Sequence, residues 1–305
     1  MKIALAGGTG FIGKHLSRYF LAQNHQVYVL TRKPDSYDTN HNNHKYIGWS
    51  VDSSSLLRDK LEGMDVFINL AGESINHGRW TEQQKERIIQ TRIQVTDNLM
   101  KLFGELNDKP KLFINASAVG YYGSSLNKTF TEKDLSTSDD FLAKTVQKWE
   151  KHASIAKNLG IRTVYARFGI VLDKQEGALP KMVLPYKFFV GGKVGTGKQW
   201  LSWIYIKDVV NLVNFILHNE EIEGAVNFTT PFPLQMNEFG KTIGEVLGRP
   251  HYLPAPSFAL KMILGEMSTL VLDGQKVLPN KAQQLGFKFE FPTLRETLTD
   301  IYRIK

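Results

Sequence analysis

The sequence opens with a glycine-rich stretch whose residue types and spacing suit phosphate binding. The stretch AGGTGFIG, residues 6–13, follows the strand-like run MKIAL and leads into the helical pattern FIGKHLSRYFLA. Its glycines let the backbone turn tightly and approach a pyrophosphate, while the following helix N-terminus offers unpaired N–H groups and the positive end of its dipole. Because a strand precedes the loop and a helix follows it, a dinucleotide site is a better interpretation than a tight turn alone.

Two cations mark the end of the second predicted strand. Arg32 and Lys33 stand where an acidic residue would bond the 2′-hydroxyl of a cofactor ribose. A cation at that place suits a 2′-phosphate instead. The pattern therefore favours NADP(H) over NAD(H). The competing interpretation is that Arg32 is an ordinary solvated cation at a strand end.

Short β-branched runs alternate along the chain with longer amphipathic helical patterns. The runs predicted to be buried strands are MKIALAG, HQVYVLTR, KYIGW, DVFINLAG, KLFINAS and RTVYARFG. Strands and helices in this order predict an α/β fold with a doubly wound parallel sheet of the Rossmann type. After Gly169 the pattern becomes rich in Gly, Pro and aromatic residues, and it then recovers a helix at IKDVVNLVNFILHN and a strand at GAVNFTT.

This change of pattern predicts two interleaved units. Residues 1–169, completed by 204–230, are expected to form the dinucleotide-binding domain. Residues 170–203 and 231–305 are expected to form a smaller, mostly helical C-terminal substrate lobe, because short helices with proline punctuation follow from about Pro231.

Composition limits the classes of protein that the chain can belong to. The chain has 305 residues with 42% hydrophobic content, and no apolar run approaches the roughly 18 residues that span a bilayer. The N-terminus enters a strand pattern at once, so we expect a soluble, cytoplasmic protein without a membrane anchor.

The sequence has no cysteine, which removes thiolate catalysis and Cys-based metal sites, and we expect no metal centre. The net charge of +8 without a Lys/Arg block favours a charged small molecule over nucleic acid.

Several motifs together resemble a known family. GGTGFIG, DVFINLAGE and NASAVGYYG resemble the extended branch of the short-chain dehydrogenase/reductase family. RFGIVLD, GALPKM, WLSWIYIKD and the tail segments GEMSTLVLDGQKVLP and LGFKFEFPTL are similar to its atypical, epimerase-family members, whose C-terminal lobe has no assigned function. The resemblance covers essentially the whole chain, although a fold does not fix a reaction.

The resemblance assigns roles to particular positions. It implies cofactor contacts from the phosphate loop, from the strand end that selects NADP, and from the turn after the fourth strand. These positions are Gly7, Thr9, Gly10, Phe11, Ile12, Gly13, Arg32, Leu70, Ala71, Gly72 and Glu73. It also places Arg92 where the wider family has an Asn of the proton relay. Ser117 is the nearest match to the substrate-orienting Ser, although counting back from Tyr122 would place Ala118 there.

The stretch DFLAKTVQKWE, residues 140–150, departs from the family pattern. The resemblance implies a Tyr that supplies a proton and, four residues later, a Lys whose charge lowers the pKa of that Tyr. Here the Tyr position falls at Phe141 or Leu142 and the Lys position at Thr145 or Val146. Apolar residues recur at helical spacing along the segment, which predicts a packing helix that begins after Ser138 or Asp139 as its cap.

Other residues could take over proton transfer. Tyr121 and Tyr122 follow the fifth strand, and loops at that end of a parallel sheet open onto the ligand crevice. Arg92 could lower the pKa of a phenol beside it. The competing interpretation is that both tyrosines pack in the cleft wall. Glu73 is a second acid/base candidate, whereas the nearby His77 is better explained as a surface residue.

The C-terminal half offers candidates for substrate contact. Trp200 and Trp203 flank a turn after a Gly-rich run and could form aromatic walls, or they could simply seal the interface between the lobes. Lys181, Arg167 and Lys198 could meet an anionic group of cofactor or substrate. Asp208 opens a helix and is expected to be a capping charge.

Two classes of function remain open. The first is an NADP-dependent oxidoreductase or epimerase that acts on an unknown small-molecule substrate with rearranged proton-transfer groups. The second is a non-catalytic NADP(H)-binding sensor or scaffold, which the missing Tyr and Lys favour. The helical segments 81–103 and 139–158 match those that pair in dimers of the extended family, so the chain could form a homodimer.

Overall fold

A computed structural model describes residues 1–37, 42–49, 54–76 and 78–303. The strands are β1 (Lys2–Ala6), β2 (Gln26–Thr31), β3 (His44–Gly48), β4 (Val66–Asn69), β5 (Leu112–Ala118), β6 (Thr129–Phe130), β7 (Arg162–Phe168), β8 (Ile170–Leu172), β9 (Trp200–Leu201), β10 (Trp203–Tyr205), β11 (Gly224–Phe228), β12 (Leu234–Gln235) and β13 (Lys276–Val277).

The helices lie between and after these strands. They are α1 (Phe11–Ala22), α2 (Ser54–Leu61), α3 (Glu82–Glu105), α4 (Phe141–Ala153), α5 (Ile155–Asn158), α6 (Leu179–Lys187), α7 (Ile206–His218), α8 (Met236–Leu247), α9 (Ser257–Leu264), α10 (Thr269–Leu272), α11 (Asn280–Gln284) and α12 (Leu294–Tyr302).

A parallel sheet with the strand order β11-β7-β5-β4-β1-β2-β3 forms the centre of the molecule. The chain builds outward from β1 to β3, returns to β4 on the other side of β1, and then proceeds to β11. The order reverses between β1 and β4, and a crevice at the carboxyl end of such a reversal is where open α/β sheets bind ligands. The glycine loop after β1 lies at this place. The predicted fold class, a doubly wound Rossmann sheet with a smaller helical C-terminal region, is confirmed.

Alternate residues of each strand enter two different cores. Ile3 and Leu5 of β1 pack into one apolar cluster with α1 and α7, whereas Ala4 and Ala6 pack into a second cluster with α3. Successive side chains of a strand point to opposite faces, so a sheet with helices on both faces needs apolar residues at every position. This is why the strands read in the sequence as continuous apolar runs.

The helix in the DFLAKTVQKWE stretch begins one residue later than expected. Asp140 is its N-cap, and its carboxylate accepts a bond from the Ala143 N–H at 2.9 Å. Ser138, one of the two predicted caps, instead donates its hydroxyl hydrogen to Asp140 at 2.6 Å. The cap prediction of Ser138 or Asp139 was wrong because the Asp140 side chain reaches the first-turn N–H groups directly.

The C-terminal region contains short strands as well as the predicted helices. β12 pairs with β9, and β13 pairs in parallel with β6, which belongs to the nucleotide-binding half. Side-chain bonds reinforce this link, because Ser202 Oγ donates to Gln275 O and accepts from Val277 N. The division into domains that the sequence suggested stays a prediction. Among the described residues, no helix has the length and apolar character to cross a membrane.

Asp208 connects α7 to the C-terminal segment. It lies in the first turn of α7 and has no exposed surface. Its carboxylate accepts the backbone N–H groups of Glu290 and Phe291 at 2.9 and 3.0 Å. The expectation of a capping charge was therefore incomplete, since this carboxylate satisfies the backbone of a segment about eighty residues later.

We expect Asp208→Ala to lower the free energy of unfolding by about 2–4 kcal/mol, because two backbone donors lose their acceptor. Asp208→Asn keeps one acceptor oxygen and should lose roughly half as much. Urea denaturation measures both values. The control is Lys241→Ala, which removes an exposed ion pair to Glu238 and should change stability by less than about 0.5 kcal/mol. A loss in Asp208→Ala no larger than in this control would contradict the role of Asp208.

Candidate active site

The loop between β1 and α1 is a backbone cradle that side chains would fill. Gly7 has a φ of 78°, and a Cβ there would lie 2.8 Å from the Leu70 carbonyl carbon. A Cβ at Gly13 would lie 2.5 Å from the Gly7 oxygen. Gly10 caps α1 without a side-chain bond and donates its N–H to Gly7 O at 3.0 Å. The N–H groups of the first turn thus stay accessible, which fits a pyrophosphate.

Asn69, the last residue of β4, fixes the turn that follows this strand. Its Oδ1 accepts the Ala71 N–H at 3.1 Å, and its Nδ2 donates to Asn115 Oδ1 at 2.7 Å. Asn69 and Asn115 are fully buried, and buried amides need such partners. Sequence reasoning missed these two residues, although the repeated segment FIN, with Asn ending an apolar run at both places, was a usable signal.

Gly72 and Arg92 meet at the edge of the crevice. A Cβ at Gly72 would lie 3.0 Å from Arg92 Cγ, so a side chain there would displace the guanidinium. Arg92 donates to Ile88 O at 2.8 Å, and its Cζ lies 5.1 Å from the Trp149 ring centroid. Burial lowers the pKa of Arg92 to about 10, and the nearby Glu73 carboxylate partly opposes this shift.

Glu73 lies beside Arg92 at the same edge and is partly buried. Its backbone N–H donates to Thr91 Oγ1 at 3.1 Å, and its Oε2 lies 3.9 Å from Arg87 Nε. The structure therefore places Glu73, Gly72 and Arg92 side by side. It places a different cation, Arg167, against the tyrosines.

A buried network joins Ser117, Glu150, Arg167 and Tyr122. Ser117 Oγ donates to Glu150 Oε1 at 2.6 Å. Arg167 donates from Nε to Glu150 Oε1 and from Nη2 to Glu150 Oε2, both at 2.8 Å, and from Nη1 to the Tyr122 hydroxyl at 2.9 Å. Burial alone lowers the pKa of Arg167, but the bonds to Glu150 outweigh it and leave the pKa raised. The guanidinium is a permanent cation.

Tyr122 has no free hydroxyl hydrogen for a substrate. It is 3% exposed and donates to Asn227 Oδ1 at 2.8 Å. Burial raises the pKa of Tyr122 to about 12, against the opposite effect of Arg167. The phenol therefore stays neutral at working pH, and the packing interpretation of Tyr122 fits the structure better than the catalytic one.

Tyr121 has a different environment from its neighbour. It is partly exposed, and its ring packs edge-on against Tyr122 at 5.4 Å between centroids. The Arg167 guanidinium carbon lies only 3.5 Å from the Tyr121 ring centroid. This cation–π contact holds the Tyr121 ring in a fixed orientation. Of the two tyrosines, Tyr121 is the one that keeps part of its surface exposed, so it is the one that a substrate could reach.

The position that the family pattern gives to a Tyr is closed by aromatic packing. Phe141 packs against Trp80 at 5.1 Å between ring centroids, and Lys85 Nζ lies 5.8 Å from the Phe141 centroid. Thr145, one of the two residues that could occupy the Lys position, donates its hydroxyl hydrogen to Phe141 O at 2.7 Å. α4 therefore contributes an apolar wall here. Trp80 was not predicted, because an isolated Trp in a loop gives no positional signal.

The residues that were predicted to contact the substrate lie in different surroundings. Trp203 has no exposed surface and packs edge-on against Phe239, so its predicted role as a substrate wall is corrected to a core role. Trp200 is half-buried, donates to Leu126 O at 2.8 Å and lies under Lys276. Lys181 lines an apolar pocket, and Lys198 is exposed. His77 lies outside the described residues.

The glycine cradle lies at the switch point of a doubly wound sheet, and polar groups lie at the ends of β4 and β5. This arrangement defines a dinucleotide-binding protein of the short-chain dehydrogenase/reductase type. The family model described as the NAD dependent epimerase/dehydratase family matches residues 3–228. The chain belongs to this family. A second model, a domain of unknown function (DUF1731), matches residues 255–301. The resemblance drawn from the motifs is confirmed.

Relatives and solved structures agree with this assignment. The epimerase family protein YfhF of Bacillus subtilis is 46% identical over 301 residues, with 99% of this chain and 98% of the relative covered. The crystal structure of the human epimerase family protein SDR39U1 (isoform 2) with NADPH aligns at a TM-score of 0.89 and 30% identity, with both chains covered completely.

A more distant structure extends this comparison. The nucleoside-diphosphate sugar epimerase from Corynebacterium glutamicum aligns at a TM-score of 0.77 and 27% identity over 98% of this chain and 57% of that chain. The chain thus shares the overall fold of these proteins, and the epimerase/dehydratase model accounts for residues 3–228 of it.

Tyr122 should make the stability of the protein sensitive to alkaline pH. The pKa of Tyr122 is raised to about 12 from a reference near 10 in the unfolded chain, so its stabilising contribution is present below pH 10 and is lost as pH rises towards 12. Between pH 9 and pH 11, we expect the wild type to lose roughly 1 kcal/mol more stability than Tyr122→Phe. Urea denaturation at the two pH values measures this difference, and equal losses would contradict it.

Proposed function

We propose that the protein is an NADP(H)-dependent oxidoreductase or epimerase that interconverts a carbonyl and an alcohol on a small substrate. The observation that carries this proposal is the partly exposed Tyr121 ring in contact with the Arg167 guanidinium, 3.5 Å from Cζ to the ring centroid. In this proposal Tyr121 supplies the proton, which is the role of the absent Tyr in the wider family, and the Arg167 guanidinium holds the Tyr121 ring in place.

The cofactor would be held by the residues that form the cradle. Gly7, Gly10 and Gly13 admit the pyrophosphate, and the turn from Leu70 to Gly72 would lie against a ribose. Arg32 and Lys33 are exposed at the end of β2, where they can meet a 2′-phosphate. The human relative was solved with NADPH, which supports NADP(H) as the cofactor here. When bound, the nicotinamide supplies or accepts a hydride at the substrate carbon.

The residues of this chain then have separate roles. Tyr121 donates a proton to the substrate oxygen as the carbonyl is reduced, and it takes the proton back in the reverse direction. Arg167 is a positioning residue for Tyr121, held in place by Glu150. Ser117 is 3% exposed and directs its hydrogen at Glu150, so it helps to hold the carboxylate that fixes Arg167. Glu73 is the second candidate for proton transfer.

A non-catalytic NADP(H)-binding sensor or scaffold is the second candidate. The aromatic packing of Phe141 on Trp80 favours it, because α4 then contributes no ionisable side chain at the place where the family transfers protons. We also propose a cytoplasmic location. A homodimer through α3 and α4, which pack against each other in the described part of the chain, is proposed on the family pattern alone.

Arg32→Asp should reverse the cofactor preference. We expect the affinity for NADPH to fall about 10- to 100-fold, because a charge-assisted phosphate contact is lost, while the affinity for NADH stays the same or rises. Titration calorimetry with both cofactors measures this. Arg18→Asp makes the same change of charge at an exposed position of α1 and should leave the preference intact. An unchanged preference in Arg32→Asp would show that the cation is only surface charge.

Tyr121→Phe should lower kcat about 10²- to 10⁴-fold, the usual contribution of a proton donor, without changing the affinity for NADPH. Loss of absorbance of NADPH with sugar nucleotides, quinones and aldehydes gives the rate. Phe141→Tyr should give no added activity, since no ammonium lies at residue 145. Lys148→Met changes an exposed residue of α4 and is the control, so its kcat should equal that of the wild type.

The same set of compounds and variants distinguishes the alternative proton donors and the alternative functions. If Tyr121→Phe keeps full activity, proton transfer moves to Glu73, and Glu73→Gln then becomes the variant that loses turnover. If no compound oxidises the bound cofactor and a protein partner binds only the NADPH-loaded form, the sensor function replaces the enzymatic one.

A further inference from the structure

An apolar pocket lies in the C-terminal lobe, between α6, α8 and α9. It encloses about 270 Å³. Its walls include Met182, Val194, Phe239, Ile243, Leu260 and Leu264. The family pattern and the proposed proton-transfer chemistry leave this pocket without a role.

The pocket has room for a group of defined size. An engineered apolar cavity of roughly 150 Å³ stays dry and holds benzene, so a pocket of this volume accommodates on the order of ten carbon atoms. Dry apolar cavities bind apolar groups because water gains little by entering them. A sugar or a nucleotide, which needs many hydrogen-bonding partners, does not match such walls.

The polar groups near the pocket already have partners. The Tyr186 hydroxyl bonds to His251 Nδ1 at 2.8 Å, and the two rings are stacked. A Cβ at Gly240 would lie 2.6 Å from that hydroxyl oxygen, so glycine allows α8 to approach the pair. Tyr186 therefore offers its ring to the pocket. Among the described residues that line the pocket, Lys181 is the one that carries a charge.

The mouth of the pocket is itself apolar. α9 directs Leu260 and Leu264 to the pocket, whereas Met262 on the same helix is 74% exposed. Val190 and Leu253 line the pocket and remain 43% and 48% exposed. Exposed apolar residues around a cavity mark an entry for an apolar ligand.

The helix α9, which forms part of the pocket wall, is also held to the segment that carries Trp80. At the end of α9, Ile263 O accepts a bond from Arg79, and Glu266 forms an ion pair with Lys85. Arg79 and Lys85 flank Trp80 in sequence, the residue that packs on Phe141. α9 thus joins the pocket, through Leu260 and Leu264, to the segment that carries Trp80 next to Phe141.

We propose that this pocket binds the tail of the substrate, an aliphatic or aromatic group of about ten carbon atoms, with Lys181 meeting a polar or anionic group on the same molecule. This inference rests on the proposed oxidoreductase function, which it extends by naming an aldehyde or ketone with a long apolar tail as the class of substrate.

Binding to the pocket can be tested without turnover. Titration calorimetry with decanoate should give saturable binding to the wild type. Leu260→Trp fills the pocket and should weaken binding about tenfold or more, and Leu264→Trp repeats the test from the next turn. Met262→Trp, on the exposed side of α9, is the matched control and should bind as the wild type does. Unchanged affinity for NADPH shows that each variant is folded.

The contribution of Lys181 to binding of the ligand's head group can be measured independently. Lys181→Met should weaken decanoate several-fold, because an ion pair is lost, while the affinity for decanol stays the same. Equal loss for both ligands would show that Lys181 acts by packing and would overturn the charge part of the proposal. Absence of decanoate binding to the wild type, or full binding to Leu260→Trp and Leu264→Trp, would overturn the pocket itself.

Turnover with aldehydes separates this proposal from the one on which it rests. Decanal should have a lower KM than butanal in the wild type, and Leu260→Trp should raise the KM for decanal alone. If decanoate binds and neither aldehyde is reduced, the oxidoreductase function fails while the pocket assignment stands. If both aldehydes are reduced with the same KM, the pocket assignment fails while the oxidoreductase function stands.

Discussion

The buried ion pair between Arg167 and Glu150 is the interaction on which the site depends. The guanidinium comes from β7 and the carboxylate from α4, and both side chains are less than a tenth exposed. Burying two charges is expensive unless further hydrogen bonds satisfy both groups, and here Ser117 and Tyr122 complete the set. Removing one partner leaves an uncompensated charge, a loss on the order of 3–5 kcal/mol. The elements that carry these residues must therefore keep their relative positions.

This ion pair also explains how α4 can lack the family's Tyr and Lys. In the proposed mechanism the cation has moved from the helix to a strand, as Arg167, and the phenol has moved to the turn after β5, as Tyr121. α4 then supplies a carboxylate that fixes the cation, one helical turn beyond the usual Lys position. Its first turn is free to pack Phe141 on Trp80. The helix supports the chemistry without touching the substrate.

Much of the fold could be predicted from local pattern, but the site only in part. Apolar runs predicted the strands of the sheet, and the glycine spacing predicted the loop after β1, because both depend on neighbouring residues alone. The role of Glu150 could not be read in advance, since an acidic residue on a predicted helix is usually solvated and its partner comes 17 residues later on β7. The prediction that Trp203 contacts the substrate was wrong for a related reason, because an aromatic residue after a Gly-rich run can face either a cleft or a core.

The position of β11 at the edge of the sheet has a consequence for how the chain folds during synthesis. It pairs with β7 in the sheet, yet 55 residues separate Phe168 from Gly224, and they include α6, β8 to β10 and α7. During synthesis from the N-terminus, β7 emerges with a hydrogen-bonding edge that has no partner until β11 follows, and such edges are where nascent chains pair wrongly. The chain must therefore either delay completion of its sheet or shelter the unpaired backbone groups of β7 until β11 has left the ribosome.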